Sequence, residues 1–314
     1  MIGFNDLHAE ADRCGHLTPM AVAGGADATV LESLRIALDR GWASPILCGN
    51  PTEMRRIADE VGVDLHGFSV VDAEDAEVAQ AAVDEVKSGR ASILMKGRVS
   101  TPDLMHAILN VEHGLRHGRC VAQVVLMEIP RDSRRFLLAD TGVMVRPKLP
   151  RKLEILREAV EVAKALGVAI PRVAMMSASE KIIADMPDTF DAAELTRRCE
   201  LGEFPGMVIQ GPLSFDLAYA AAAAGKKGMT GEVVGAADVM IFPDLSSANL
   251  TVKAIMYTAD CRFGGILRGT THPVAFMSRA DDVPTRLNSL ALSLRMIAAQ
   301  GGNRGPLLPG RPAP

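Results

Sequence analysis

The chain has few aromatic residues, 4% of 314, with one Trp and two Tyr. Function through stacked nucleobases on aromatic platforms is therefore excluded. It also lacks an excess of either charge, with 34 Lys and Arg against 38 Asp and Glu for a net −4. Partners that are read through a basic surface, nucleic acids and anionic membranes, call for a larger imbalance. The five cysteines (Cys14, Cys48, Cys120, Cys199 and Cys261) include no CxxC pair. Neither a zinc site nor a disulfide framework is indicated, and a reducing compartment is expected. Long apolar runs are missing too; the longest, near 217–224, falls far short of a membrane span. The opening MIGFNDLHAEADRCGH carries acids early and no apolar stretch, so it is not read as a signal peptide. A cytoplasmic protein is expected.

What is present describes an ordinary globular chain, 48% hydrophobic and 23% charged. The length suggests about two domains. With aromatics scarce, the cores must be built from Ala, Val, Leu, Ile and 16 Met. Short apolar runs, among them 20–23, 45–48, 92–95, 121–127, 172–175, 207–210, 239–242 and 274–277, read as strands buried on both faces. Helical stretches such as 28–40, 53–61, 75–87, 153–166, 215–223, 247–257 and 282–299 lie between them. That alternation means βαβ units, and hence a three-layer α/β fold with mainly parallel sheet. The segment 141–150, with Gly142, Pro147 and Pro150, is the best interior boundary. The Gly- and Pro-rich stretch 301–314 reads as an unstructured end.

Four turns combine strand ends with chemistry-bearing residues. Gly24-Gly25-Ala26-Asp27 opens a helix, where glycines let backbone N–H groups approach an anion; Asp27 is equally readable as a plain helix cap. Lys96-Gly97-Arg98-Val99-Ser100-Thr101 offers a cation, a glycine and two hydroxyls at the end of a strand, which suits a phosphate-bearing ligand. Asp216, in GPLSFD, either points into a cleft or favours the first turn of its helix. Ser278-Arg279-Ala280-Asp281-Asp282 joins a hydroxyl, a guanidinium and two carboxylates, fit for anion binding plus proton transfer, with one Asp free to cap the last helix. Glu112, His113 and His117 lack a third ligand and read as a surface turn. No GxSxG and no GxGxxG occurs, which argues against a serine nucleophile and against a dinucleotide-dependent dehydrogenase.

Taken together these segments resemble the phosphate acetyltransferase and phosphate butyryltransferase family, more closely its butyryl branch. The likeness runs from about 20 to 293 and is strongest in ASILMKGRVSTPDLMHAILN (91–110), DMPDTFDAAEL (185–195), GPLSFDLA (211–218), ADVMIFPDLSSANLTVKAI (237–255) and SRADD (278–282). The resemblance implies two α/β/α domains with a cleft between them, the first discontinuous (1–140 with 268–314) and the second 141–267. It implies a homodimer that interconverts acyl-CoA plus phosphate with acyl phosphate plus CoA. No metal or further cofactor is implied, CoA being a substrate. By the same likeness Ser278, Arg279 and Asp281 would be catalytic, and Lys96, Ser100, Thr101, Asp216 and Asn249 would bind substrate or phosphate. Asp281 rather than Asp282 matches the Ser-Arg-Ala-Asp form of the butyryl branch. The turn at 96–101 is expected to reach the site from the other domain as the domains close. Two places depart from the pattern: His106 stands where an Arg is usual in the acetyl branch, and 246–249 reads SSAN where EAGN is usual in the family. They leave open a non-catalytic relative that binds CoA or acyl phosphate as a sensor or an enzyme partner.

Overall fold

A computed structural model describes residues 1–118, 120–278, 280–299 and 301. Arg279 and nearly all of the tail expected to be unstructured, from 302 onward, lie outside the described residues. The chain divides into two compact units. One begins at Phe4, runs to the segment before Cys120 and resumes at Gly264; the other holds Met1–Gly3 and Cys120–Phe263. The segment 141–150 was expected to be the interior boundary. It instead joins a strand to a helix inside the second unit, because turn residues punctuate connections within a fold as readily as between folds.

The first unit opens with α1 (Phe4–Asp12), β1 (Thr18–Ala23), α2 (Ala28–Asp39), β2 (Ala43–Gly49), α3 (Pro51–Val61), β3 (Ser69–Asp72), α4 (Val78–Lys87), β4 (Ile93–Lys96) and α5 (Thr101–Leu109). The strands lie in the order β3-β2-β1-β4, all parallel. Every residue of β4 is buried, so both faces of the sheet are covered, as the unbroken apolar run required.

In the central unit β5 (Ala122–Ile129) and β6 (Arg134–Ala139) form an antiparallel pair around a short turn. There follow α6 (Leu149–Ala165), β7 (Arg172–Met176), α7 (Pro187–Glu200), β8 (Val208–Leu213), α8 (Phe215–Tyr219), α9 (Ala221–Lys227), β9 (Val239–Ile241) and α10 (Leu245–Thr258). The order is β5-β6-β9-β7-β8, with β6, β9, β7 and β8 parallel. The continuous helix expected over 215–223 is two short helices, divided at Ala220, whose backbone is extended. The scarce aromatics are pooled here. Phe136, Phe215 and Tyr219 meet with ring centroids 5.6–6.5 Å apart over a core of Met127, Leu138, Leu213 and Met240.

The chain then passes through β10 (Arg262–Arg268) into β11 (Val274–Ala275) and α11 (Val283–Ala299). β11 pairs parallel with β4 and antiparallel with β10, completing the first unit's sheet. α11 is buried along most of its length, Ser289 and Ser293 included. Their hydroxyls donate to carbonyls one turn back, at 3.0 and 2.8 Å, which satisfies them inside the core. Among the described residues no helix is long and apolar enough to cross a membrane.

The loop after β6 is built around one carboxylate. Asp140, 3% exposed, accepts from the backbone N–H groups of Gln123, Gly142, Val143 and Met144 at 2.7–3.2 Å. Replacing it with Ala strands several buried donors, each worth about 1–3 kcal/mol. Asp140→Ala is therefore expected to lower the unfolding free energy by about 3 kcal/mol or more, read from urea unfolding.

Candidate active site

The parallel strands of the first unit deliver their carboxyl ends to one edge. Ala23 is in register with Lys96, and Met95 with Ala275, so the turns after β1, β4 and β11 emerge side by side. The first two are clasped backbone to backbone. Gly97 N–H donates to the Ala23 carbonyl at 2.9 Å and Arg98 N–H to the Gly24 carbonyl at 2.7 Å. A side chain at Gly97 would come within 2.1 Å of the Gly24 oxygen, and Gly24 has a φ of +85°. Both positions therefore need glycine.

Beside this clasp opens a cavity of about 490 Å³, lined among others by Gly24, Asn50, Glu53, Asp75, Arg98, Ser100 and Asp103. Two helix N-termini face it. Asn50 caps α3 by accepting from Thr52 and Glu53 N–H at 2.9 and 3.1 Å. Ser100 caps α5 by accepting from Asp103 N–H at 3.1 Å, and its hydroxyl donates to the Asp103 carboxylate. Such termini carry partial positive charge and favour anions. The side chains temper that preference: three carboxylates stand against Arg98, which lies 3.6 Å from Glu53.

Of the residues singled out from sequence, Lys96 is 2% exposed at the end of β4, and its Nζ lies 3.5 Å from the Gly97 carbonyl. Thr101 begins α5 and is exposed. Ser278 is exposed, and its N–H donates to Asp281 Oδ2 at 2.8 Å. Arg279 lies outside the described residues. The two aspartates divide their work. Asp282 caps α11 by accepting from Thr285 N–H at 3.0 Å, whereas Asp281 is 7% exposed and turned inward. Burial pushes the Asp281 carboxyl above its ordinary pKa, against the pull of the Ser278 N–H and of the Arg286 and Lys96 charges.

Lys96, Ser100 and Thr101 thus share one unit and one sheet edge with Ser278 and Asp281. The expectation that the 96–101 turn arrives from the other domain is corrected, because β4 and β11 are adjacent strands of the same sheet. Asp216 and Asn249 belong to the central unit. Asp216 accepts from the Ser214 hydroxyl at 2.6 Å and pairs with Lys227 at 3.1 Å, and these contacts, Ser214 first, hold its carboxyl below the usual range. Asn249 donates to the Thr141 carbonyl at 3.2 Å. Glu112 and His113 stand in the turn expected of them, where Asn110 Oδ1 accepts from both backbone N–H groups.

No buried thiol is fit to act as nucleophile. Burial pushes Cys48 and Cys120 up to about 12. The sequence reading missed Arg98 as a lining residue and Arg286 altogether. Arg286 is 2% exposed in the second turn of α11, facing Asp281 and Asp27. Its only signal was an Arg on a helix otherwise dominated by Leu, Ser and Ala.

An edge of this kind, glycine turns and helix N-termini around cations and a buried carboxylate, is that of an α/β enzyme handling anionic substrates. Comparison with known proteins makes the class specific. The family model described as Phosphate acetyl/butaryl transferase matches residues 76–294. Phosphate butyryltransferase of Clostridium acetobutylicum is 39% identical over 291 residues, 92% of this chain and 96% of its own length. Phosphate acetyltransferase of Thermotoga maritima is 34% identical over 274 residues, 87% and 93% of the two chains. A solved branched-chain phosphotransacylase from Enterococcus faecalis has a TM-score of 0.78 at 29% identity, covering 90% of this chain and 99% of that one. The chain belongs to the phosphate acetyl/butyryl transferase family.

The division of work between the aspartates can be measured. Asp282→Ala is expected to cost about 1 kcal/mol of stability through loss of the cap, with turnover close to wild type. Urea unfolding and steady-state kinetics on the same preparation check both halves.

Proposed function

We propose that this protein is a phosphate acyltransferase that interconverts short-chain acyl-CoA plus phosphate with acyl phosphate plus CoA. One observation carries the reading: in a chain of this family, the turns at 24–27, 96–101 and 278–282 come together on one sheet edge of one unit.

In the direction that consumes CoA, its thiol has to be made nucleophilic. A thiol of pKa ~8.5 is only a few per cent ionised at neutral pH. Asp281 accepts the thiol proton as sulfur attacks the carbonyl carbon of the acyl phosphate, and the carbonyl electrons move onto oxygen. Supporting this role, Asp281 is buried and pushed above its ordinary pKa, which raises its affinity for a proton. Ser278 donates a hydrogen bond to the oxyanion, and its exposed hydroxyl is available for that. When the oxyanion collapses, the bond between the acyl carbon and the phosphate oxygen breaks, and phosphate leaves with the bonding pair. Arg279 holds the departing oxygens in a planar fork, and Lys96 adds a buried positive charge. Ser100 and Thr101, at the start of α5, contact phosphate. In this scheme Arg and Lys, without a metal ion or further cofactor, offset the developing charge.

A cytoplasmic homodimer belongs to the same proposal. Among the described residues no two of the five cysteines are joined in a disulfide, in keeping with a reducing compartment. α10 carries the exposed side chains of Leu250 and Tyr257, 68% and 78% accessible, on a face suited to another copy.

Phosphate-dependent CoA release is expected from acyl-CoA substrates between acetyl and hexanoyl, butyryl included, and it should persist in EDTA. Asp281→Asn should lower turnover of free CoA about 10²-fold or more, with partial recovery at high pH as the thiol ionises unaided. Strict dependence on a divalent ion would overturn the assigned roles. Acyl-CoA binding without phosphate-dependent release would instead support the non-catalytic reading.

Light scattering across micromolar concentrations should give twice the chain mass, and a monomer throughout would contradict the homodimer.

A further inference from the structure

Asp281 precedes the cap of α11 by one residue, and Arg286 stands four residues past that cap. Side chains at these two positions usually form an apolar contact that sets the angle at which a chain enters its helix. Here the pair is Asp and Arg, 7% and 2% exposed. Several buried charges elsewhere in the chain are closed into direct ion pairs: Glu128 with Arg135 at 2.9 Å, Lys152 with Asp191 at 2.8 Å, Asp238 with Arg172 at 2.9 Å. Among the described residues no hydrogen bond or ion pair joins Asp281 to Arg286. The guanidinium is tied instead to α2. Its Nε donates to Thr29 Oγ1 at 2.9 Å, and that hydroxyl donates to Asp27 Oδ1 at 2.8 Å. Its Nη1 is buried without an acceptor.

A direct fork-to-carboxylate pair would occupy the oxygens of Asp281 and hold the group firmly ionised. A cation held back by another element leaves the carboxylate, whose Oδ2 accepts among the described residues only the Ser278 N–H, able to take a proton while still attracting the ionised form. We propose that Arg286, tethered by Thr29, is the positioning residue for Asp281, fixing the turn that carries the carboxyl and setting the charge it faces. This rests on the reading of Asp281 as proton acceptor. The other groups facing Asp281 are the Ser278 N–H and Asp282 on its own turn and Lys96 from β4; Arg286 also faces Asp27 from the start of α2.

The test is the pH profile of kcat in the CoA-consuming direction for full-length wild type, Arg286→Gln, Arg286→Lys, Thr29→Val and Asp281→Asn. Activity needs Asp281 ionised, so it falls as pH drops through the Asp281 pKa. Losing the nearby positive charge raises that pKa. Arg286→Gln should therefore move the acidic limb upward by about one pH unit, with KM for CoA little changed. Arg286→Lys should keep the limb near its wild-type position. Thr29→Val, which releases the tether and keeps the charge, should lower kcat severalfold without shifting the limb, and it reports even where Arg286→Gln does not fold. A folded Arg286→Gln with an unmoved limb, beside an Asp281→Asn that has lost it, overturns the role of Arg286 alone. Unchanged kcat in Thr29→Val does the same. An acidic limb that survives in Asp281→Asn overturns the proton-acceptor reading itself, and this proposal with it.

Discussion

The close approach of two backbones, Gly24 to Gly97, is the contact on which the site depends. Their hydrogen bonds carry the β1–β4 ladder past the ends of the strands, so the turns leave the sheet at a fixed separation. The caps of α3 and α5 then face the same cavity, and the turn after β11 follows one strand further along. Ligand contacts assembled this way owe their precision to sheet register. A flexible loop would supply the same chemical groups with less control over their spacing.

Much of this was legible in the residues. Strand–helix alternation gave the layered α/β class because strands buried on both faces leave unbroken apolar runs, and β4 is one. Asp27 serves as the cap its sequence position suggested. Which turns become neighbours was less accessible. β11, two residues long, enters beside β4 only through pairing across most of the chain length, and no local pattern encodes that. Proline and glycine at 141–150 were just as misleading about the unit boundary. There the carboxylate of Asp140 gathers four N–H groups into a loop that belongs wholly to the central unit. Arg286 was invisible for a similar reason, since its meaning depends on Thr29 at the other end of the chain.

Charge is distributed unevenly over the molecule. Surface ion pairs along the helices, such as Arg197–Glu194, are exposed and contribute little individually. At the site edge Lys96, Arg286 and Asp281 are all nearly inaccessible. Burial there magnifies each electrostatic interaction and leaves the proton affinity of the carboxyl sensitive to small displacements. The adjoining cavity is acidic apart from Arg98. A ligand lying across both would meet positive charge at one end and carboxylates at the other, which gives its binding a direction as well as a strength.

The discontinuity of the first unit bears on how the molecule is made. β11 lies between β4 and β10 in the sheet, and α11 packs on α1 and α2. Until the last sixth of the chain has been synthesised, β4 presents an unpaired edge and the covering helix does not exist. At roughly 5–20 residues per second, a ribosome takes on the order of ten seconds or more to get from β4 to β11. All elements of the central unit up to α10 emerge during that interval. The nascent chain must therefore carry an open parallel edge while its middle folds, a state in which chaperone cover or a short lifetime matters more than final stability.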